Sequence, residues 1–366
     1  MSCRNWKYLS YHIYGNVVLF RNPTIIISEK MVPIVDISSF VEESAHNDDS
    51  RRRVAEQWDS AMSNVGFAII TGHGVPPRMI SALRDAAMRF FACDSSTKDA
   101  YDHGPYGNPL GGYAALGAEA VSRTRDAHGS DGGAGACRDR HAVAPPDLVE
   151  SFVFRPESPM PRPAVLEEAG SAYHAALLRV LDALHLLTSA SLGLPADFFE
   201  PYYSPHMPET VSLRLAYYPP LSHEAQSSSA MRYGEHTDYT GFTILHQDED
   251  DADDDVSAGH GLQVLLPNGE WHPVPPTPGA FVVNIGDLYE VWTNGRWRST
   301  VHRVAKPPPG SAAASSPRLS IPFFTGPRND AVVEAMPTCV GEGIPPRYAP
   351  VRVRDHLLGK LRASNS

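Results

Sequence analysis

Between residues 211 and 325 the chain reads as a series of short apolar strands broken by Pro and Gly, and this series limits the possible folds more than any other feature. The candidate strands are 211–218, 240–247, 261–266, 279–286, 299–304 and 318–325. Many short strands with turn signals between them predict a sandwich or a closed barrel. Two low-complexity runs interrupt the series, DEDDADDD at 248–255 and PPPGSAAASSP at 307–317. Both compositions predict solvent loops between strands.

The half before this series is richer in helix. Residues 33–40 predict a short strand and a Ser-capped turn, and 66–74 an apolar strand closed by glycine. Residues 51–65 carry Val54, Trp58, Ala61, Met62 and Val65 at helical spacing, and 77–91 repeat the pattern with Met79, Leu83, Ala86, Ala87 and Phe90. The longest helical pattern, 170–192, stops at Gly193-Leu194-Pro195. Residues 124–146 are rich in Gly, Ala, Asp and Arg and predict a loop that buries little surface. No repeat of the solenoid kind is visible. The expected division is a disordered extension at 1–31, an α-rich region at 32–205, a β core at 206–330, and a packing segment at 331–366 that ends in a helix over 353–361.

Charge narrows the partners. A formal net charge of −11 argues against a general nucleic-acid or anionic-membrane surface. No run approaches the roughly 18 apolar residues of a membrane span. Cys3, Cys93, Cys137 and Cys339 are far apart and form no CxxC pair, so neither a zinc ribbon nor a disulfide framework is expected. A reducing, cytoplasmic setting and a monomer are the expectations, with a small molecule as partner.

Chemistry concentrates in GEHTDYTGFT, residues 234–243. On an extended strand His236 and Asp238 would share a face, so one imidazole and one carboxylate could converge on an ion. Alone, this pair describes a histidine beside an acid more often than a metal site. His302, 66 residues after His236 and also in a strand pattern, is the candidate third ligand. Two His and one carboxylate leave coordination positions open, which suits Fe(II) binding a co-substrate and O2 together. Arg318 and Ser320, again at i and i+2, could grip a carboxylate by charge-assisted hydrogen bonds, and Tyr218 could add a phenol donor. Asn284 and Asp287 read as turn formers around Gly286. Tyr289, Trp292 and Phe324 fit pocket or core equally, and His73, His246 and His260 read as structural or exposed.

The set HxD…H…RxS, preceded by YPP at 218–220, resembles the isopenicillin N synthase-like branch of the Fe(II)/2-oxoglutarate-dependent dioxygenases. Residues 33–40, 66–74, 147–154, 261–264, 269–297 and 318–327 are similar to the family as well. The resemblance implies an α+β fold with a mainly β core, a distorted double-stranded β-helix (jelly roll) with helices outside. It implies Fe(II) on His236, Asp238 and His302, and 2-oxoglutarate held by Arg318 and Ser320 with Tyr218 assisting. It implies oxidation of an unactivated C–H of a small metabolite with release of succinate and CO2, as hydroxylation, desaturation or ring closure, and ascorbate as a reductant. The long spacings from HxD to His302 and from His302 to Arg318 depart from the family, and the two low-complexity runs account for both. Two alternatives stay open: an iron oxidase of the same fold that does not use 2-oxoglutarate, and a non-catalytic metal-binding sensor.

Overall fold

Alternation of side chains along the strands decides the layers of this molecule. The computed structural model describes residues 32–42, 48–104, 111–125, 145–203, 210–248 and 261–365. The predicted extension at 1–31, most of the predicted Gly-rich loop (126–144), the acidic run from 249 to 255, and His260 lie outside the described residues. In chain order the strands that build the core are β1 (Ile34–Asp36), β2 (Phe67–Thr71), β3 (Gly112–Ala114), β4 (Glu150–Phe154), β5 (Ser212–Tyr218), β6 (Tyr233–His236), β7 (Phe242–Gln247), β8 (Gly261–Leu265), β9 (Trp271–Pro273), β10 (Phe281–Ile285), β11 (His302–Ala305) and β12 (Arg318–Phe324). They form an eight-stranded sheet, β1-β2-β10-β7-β12-β5-β4-β3, and a four-stranded sheet, β6-β11-β8-β9. Within these two sheets only β1 and β2 run parallel.

One face of the large sheet is mostly apolar. Leu213, Leu215, Ile244, Val283, Leu319, Ile321 and Phe323 alternate inward on adjacent strands and pack against helices. Those helices are Asp48–Asn64, Pro77–Phe91 and the central Ala164–Leu192, on which the other two lie. Each fully buried Leu, Ile or Phe on this face contributes about 1.5–3 kcal/mol by leaving water. The central helix is long and apolar enough to cross a membrane by length and composition. Its apolar character has a packing cause here: Tyr173, Leu177, Val180, Leu184 and Leu187 are all buried in the core.

The opposite face of the large sheet looks at the small one. Phe67, Ile69 and Val282 meet Leu262 and Val264 of β8, while Ala216 and Tyr218 meet Tyr233 of β6 and Val304 of β11. Two sheets closed face to face with helices outside form the α+β jelly roll that the resemblance implies. The large sheet draws strands from both sides of residue 206.

Several local expectations change. The central helix starts at Ala164 rather than Gly170, following Pro163. The C-terminal helix runs Val353–Asn365. The run 307–317 is not purely a solvent loop: Ser311 caps a short helix, Ala312–Ser315, and Ala314 is buried. Asp248, first of the acidic run, is buried and forms a two-pronged ion pair with Arg84, at 2.6 and 3.1 Å. Strands β3, β4, β6 and β9 have no counterpart among the candidate strands of the sequence.

Candidate active site and metal centre

A bulge in β6 sets the metal site. His236 pairs with His302 across the ladder, yet Val304 pairs with Tyr233, so β6 carries one residue more than β11 over this stretch. The extra residue puts Tyr233 and His236 on one face despite their i, i+3 spacing. Gly234 sits in the bulge because a Cβ there would come within 2.9 Å of Ser122 Cβ. Asp238 is not on the strand, contrary to the i, i+2 expectation: β6 ends at His236. The chain turns inward instead, and the Asp238 carbonyl accepts the Asp287 N–H at 3.0 Å. The three side chains still converge. Asp238 Oδ1 lies 3.7 Å from Nε2 of both histidines, and the donor atoms of all three residues fall within 4.8 Å of one another.

Hydrogen bonds select the ligating form of each group. His236 Nδ1 stands 2.8 Å from Gly234 O, and His302 Nδ1 3.1 Å from Thr300 O. A carbonyl can only accept, so the network assigns the proton to Nδ1 and leaves each Nε2 lone pair aimed at the centre. Burial, with the neighbouring His302, lowers the His236 pKa to about 3 and keeps that ring neutral. Burial alone would raise the Asp238 carboxyl, but His302, His236, Thr243 and Asn284 together hold it below its ordinary value. Two neutral imidazoles and one carboxylate form the donor set that non-haem Fe(II) takes, so the residues fit the metal.

The carboxylate is held from behind. Asp238 Oδ2 accepts from Thr243 Oγ1 at 2.6 Å and from Asn284 Nδ2 at 2.5 Å, which leaves Oδ1 for the centre. Asn284 is therefore no turn former. It lies in β10, directly across the ladder from Thr243 of β7. Asp287 does begin a short helix, Asp287–Trp292, as a turn former can, but its carboxylate also binds Lys360 Nζ at 2.8 Å and His356 Nε2 at 3.2 Å, both on the C-terminal helix. Tyr289 and Trp292 belong to the core, while Phe324 lines the cavity beside the triad. His73 and His246 are buried; His73 bonds Gly279 O at 2.9 Å.

Arg318, Ser320 and Tyr218 form a second patch on the same inner face. Arg318 of β12 pairs with Tyr218 of β5, and its guanidinium lies 5.3 Å from the centroid of that ring. Gln247 Oε1 accepts from Arg318 Nη2 at 3.1 Å, while its own Nε2 is anchored on Val274 O at 3.0 Å. Ser320 sits between Ala216 and Gln247 in the ladder. All three residues are buried, and Leu319 and Ile321 turn to the helical core as alternation requires.

A cavity opens beside His236 and Asp238. Its wall includes Val153, Arg155, Tyr239 and Phe324, together with Leu357 and Leu361 of the C-terminal helix. Lys360 fixes that helix to the metal loop: besides Asp287, its Nζ donates to Thr237 Oγ1 at 3.2 Å and lies 5.6 Å from the Tyr239 ring centroid.

Comparison with known proteins agrees with this geometry. Residues 210–327 match the model of the 2OG-Fe(II) oxygenase superfamily, and 32–172 match that of the non-haem dioxygenase in morphine synthesis N-terminal region. The chain is 31% identical to validamycin A dioxygenase of Streptomyces hygroscopicus subsp. limoneus, over 86% of this chain and 82% of that one. It is 30% identical to the 2-oxoglutarate-Fe(II) type oxidoreductase ppzC of Metarhizium majus, over 90% and 86%. A full-length Neurospora crassa protein, solved in complex with alpha-KG, superposes with a TM-score of 0.72 at 25% identity, covering 90% of this chain and 96% of that one. With a buried His-Asp-His triad between two facing sheets, the chain belongs to the 2OG-Fe(II) oxygenase superfamily and is a non-haem iron, 2-oxoglutarate-dependent oxidoreductase.

Proposed function

We propose that His236, Asp238 and His302 hold the Fe(II) of this oxygenase, and that Arg318 and Ser320, with Tyr218, bind the distal carboxylate of 2-oxoglutarate while a small metabolite is oxidised at a C–H. The carrying observation is the Asp238 carboxylate, whose Oδ2 is taken up by Thr243 and Asn284 while Oδ1 faces both imidazoles. Bound Fe(II) supplies O2 activation coupled to conversion of 2-oxoglutarate to succinate and CO2. The protein's own part is orientation. Gln247 steadies the Arg318 fork, and a planar guanidinium is matched to a carboxylate by two parallel N–H donors. The small sheet and the C-terminal helix shield the triad from water.

The named relatives favour small substrates without choosing one. They include validamycin A dioxygenase, and the N. crassa neighbour was also solved with alpha-KG and thymine. We take the protein to act as a monomer, apart from nucleic acid and membranes, in the cytoplasm; the net charge of −11 and the separated cysteines support this.

The deciding experiment mixes purified protein with Fe(II), ascorbate, O2 and 2-oxoglutarate, and measures succinate across a metabolite library. Stimulated release that His236→Ala abolishes is expected. Release unaffected by His236→Ala would overturn the ligand assignment, and product formation without 2-oxoglutarate would move the chain to the iron oxidases.

A further inference from the structure

Two buried carboxylates outside the triad converge on the bulge of β6. Asp147 is 2% exposed and Glu119 3%. Asp147 Oδ1 accepts the Gly234 N–H at 2.9 Å, and Oδ2 accepts the Val121 N–H at 2.8 Å. The carboxylate thereby ties the bulge to a 3-10 turn, Val121–Arg125, whose Ser122 already crowds Gly234. Gly234 is also the residue whose carbonyl stands 2.8 Å from His236 Nδ1. It is thus held at its N–H by Asp147 and orients His236 through its C=O. Glu119 acts on the neighbouring residue. Its Oε2 accepts from Tyr233 Oη at 3.2 Å and its Oε1 from Arg214 Nη2 at 2.7 Å, while Arg214 Nη1 donates to Tyr233 Oη at 2.9 Å. The Tyr233 ring meets the His236 ring edge-on, with centroids 4.9 Å apart and planes at 88°. The Asp147 N–H donates to Glu119 O at 2.8 Å and joins the two arms. Buried carboxylates are costly unless hydrogen-bonded, and a well-bonded polar network is rigid. Burial raises the Asp147 carboxyl to about 7, with Glu119 adding to the rise, while the Val121 and Gly234 N–H groups and Arg214 work against it.

On the reading that His236 ligates the iron, we propose that Asp147 and Glu119 are positioning residues for that ligand. Asp147, through Gly234, fixes the acceptor of His236 Nδ1. Glu119, through Tyr233, fixes the plane of the imidazole. Neither belongs to the triad or to the Arg318 patch, so their loss loosens one ligand of three and leaves the co-substrate residues in place.

The test uses two variants of the full chain. Asp147→Ala removes both acceptors, and Tyr233→Phe removes the hydroxyl while keeping the ring. Calorimetric titration with Mn(II), well above pH 7 so that Asp147 is ionised, reads affinity. The visible d–d bands of the Co(II)-loaded protein read ligand geometry. Groups bonded directly to a metal-binding histidine change affinity by about ten- to hundredfold when removed. These two act one bond further out, so falls of roughly three- to tenfold are expected, with shifted Co(II) bands. The KM for 2-oxoglutarate in excess Fe(II) should not move. A merely structural role would lower stability and leave the affinity and the bands of the folded protein unchanged. Folded variants with the Mn(II) affinity and Co(II) bands of the unmodified protein would therefore overturn the inference. Tyr233→Phe, which keeps its ring packing, decides the matter if Asp147→Ala does not fold. His236→Ala, titrated alongside, judges the ligand reading separately, which fails if that variant binds Mn(II) undiminished.

Discussion

Replacing Asn284 by Ala removes the donor that reaches Asp238 Oδ2 at 2.5 Å and leaves Thr243 Oγ1, at 2.6 Å, as the remaining one. The lost bond is buried and charge-assisted, a class that contributes about 1.5–3 kcal/mol. Thr243 still holds the carboxylate and the smaller side chain leaves room for water, so the lower part of that range applies, roughly 1.5–2 kcal/mol. At about 1.4 kcal/mol per tenfold, metal affinity falls by roughly ten- to thirtyfold, within the range seen when groups that orient metal ligands are removed. Calorimetric titration of the metal-free protein with Mn(II) reads this directly, and succinate release should recover when Fe(II) is raised to match. Asn284→Asp makes a sharper case. It brings a second carboxylate against Asp238, so one of the two takes up a proton that the metal must displace. Affinity in that variant should rise with pH more steeply than in the unmodified protein. An Asn284→Ala protein that binds Mn(II) as tightly as its parent would refute the orienting role, and with it the argument that Oδ2 is held so that Oδ1 can serve the metal.

Three further outcomes follow from the geometry. Arg318→Lys exchanges a planar fork for a point charge, so the KM for 2-oxoglutarate should rise about tenfold or more with Mn(II) affinity unchanged; an unmoved KM would take Arg318 out of the co-substrate site. Burial alone would raise the Asp287 pKa, but His356 and Lys360 lower it to about 2, below its ordinary value. Its stabilising contribution is therefore complete above the ordinary carboxylate range and disappears as pH falls toward 2. Lys360→Met should move the acid-unfolding midpoint, followed by circular dichroism, to higher pH. Gly286→Ala would place a Cβ 2.8 Å from Thr240 O and 2.9 Å from Thr240 N. That crowding should cost about 1–3 kcal/mol in urea unfolding, and equal stability would mean that the backbone there gives way easily.

The parts of the fold that were legible beforehand are those with enough residues to show a period. Pro77–Phe91 matches its predicted helix at both ends because Pro77 is suited to the first turn and the apolar stripe is complete. The strand predicted from 240 starts at Phe242, since Thr240 Oγ1 and the Gly241 N–H are spent on Thr325 O instead of the ladder. Strand β6 has only Tyr233–His236, with a glycine in its bulge, and nothing periodic marks it. At the site, His236, His302, Arg318, Ser320 and Tyr218 stood out because motif and alternation agreed, and Asp238 stood out by the motif alone. Asn284 did not, because Asn just before Gly286 carries the composition of a turn. Its partner is 46 residues away and meets it only once β10 is laid beside β7. Leu357 and Leu361 were equally hidden: their place in the cavity depends on Lys360 reaching Asp287, a contact no local pattern announces.

The pairing of His236 with His302 also bears on how the chain reaches its fold. His302 lies 66 positions after His236, so closing the two strands is entropically costly, and a short ladder can settle one residue out of step. Any single-residue slip sends the His302 imidazole to the far side of the small sheet, where Asp238 Oδ1 is out of reach. Misaligned forms then bind no metal at this site and gain nothing from it, while the aligned form is favoured in proportion to free iron. Protein refolded with Fe(II) present should therefore be more uniform in strand alignment than protein to which iron is added afterwards.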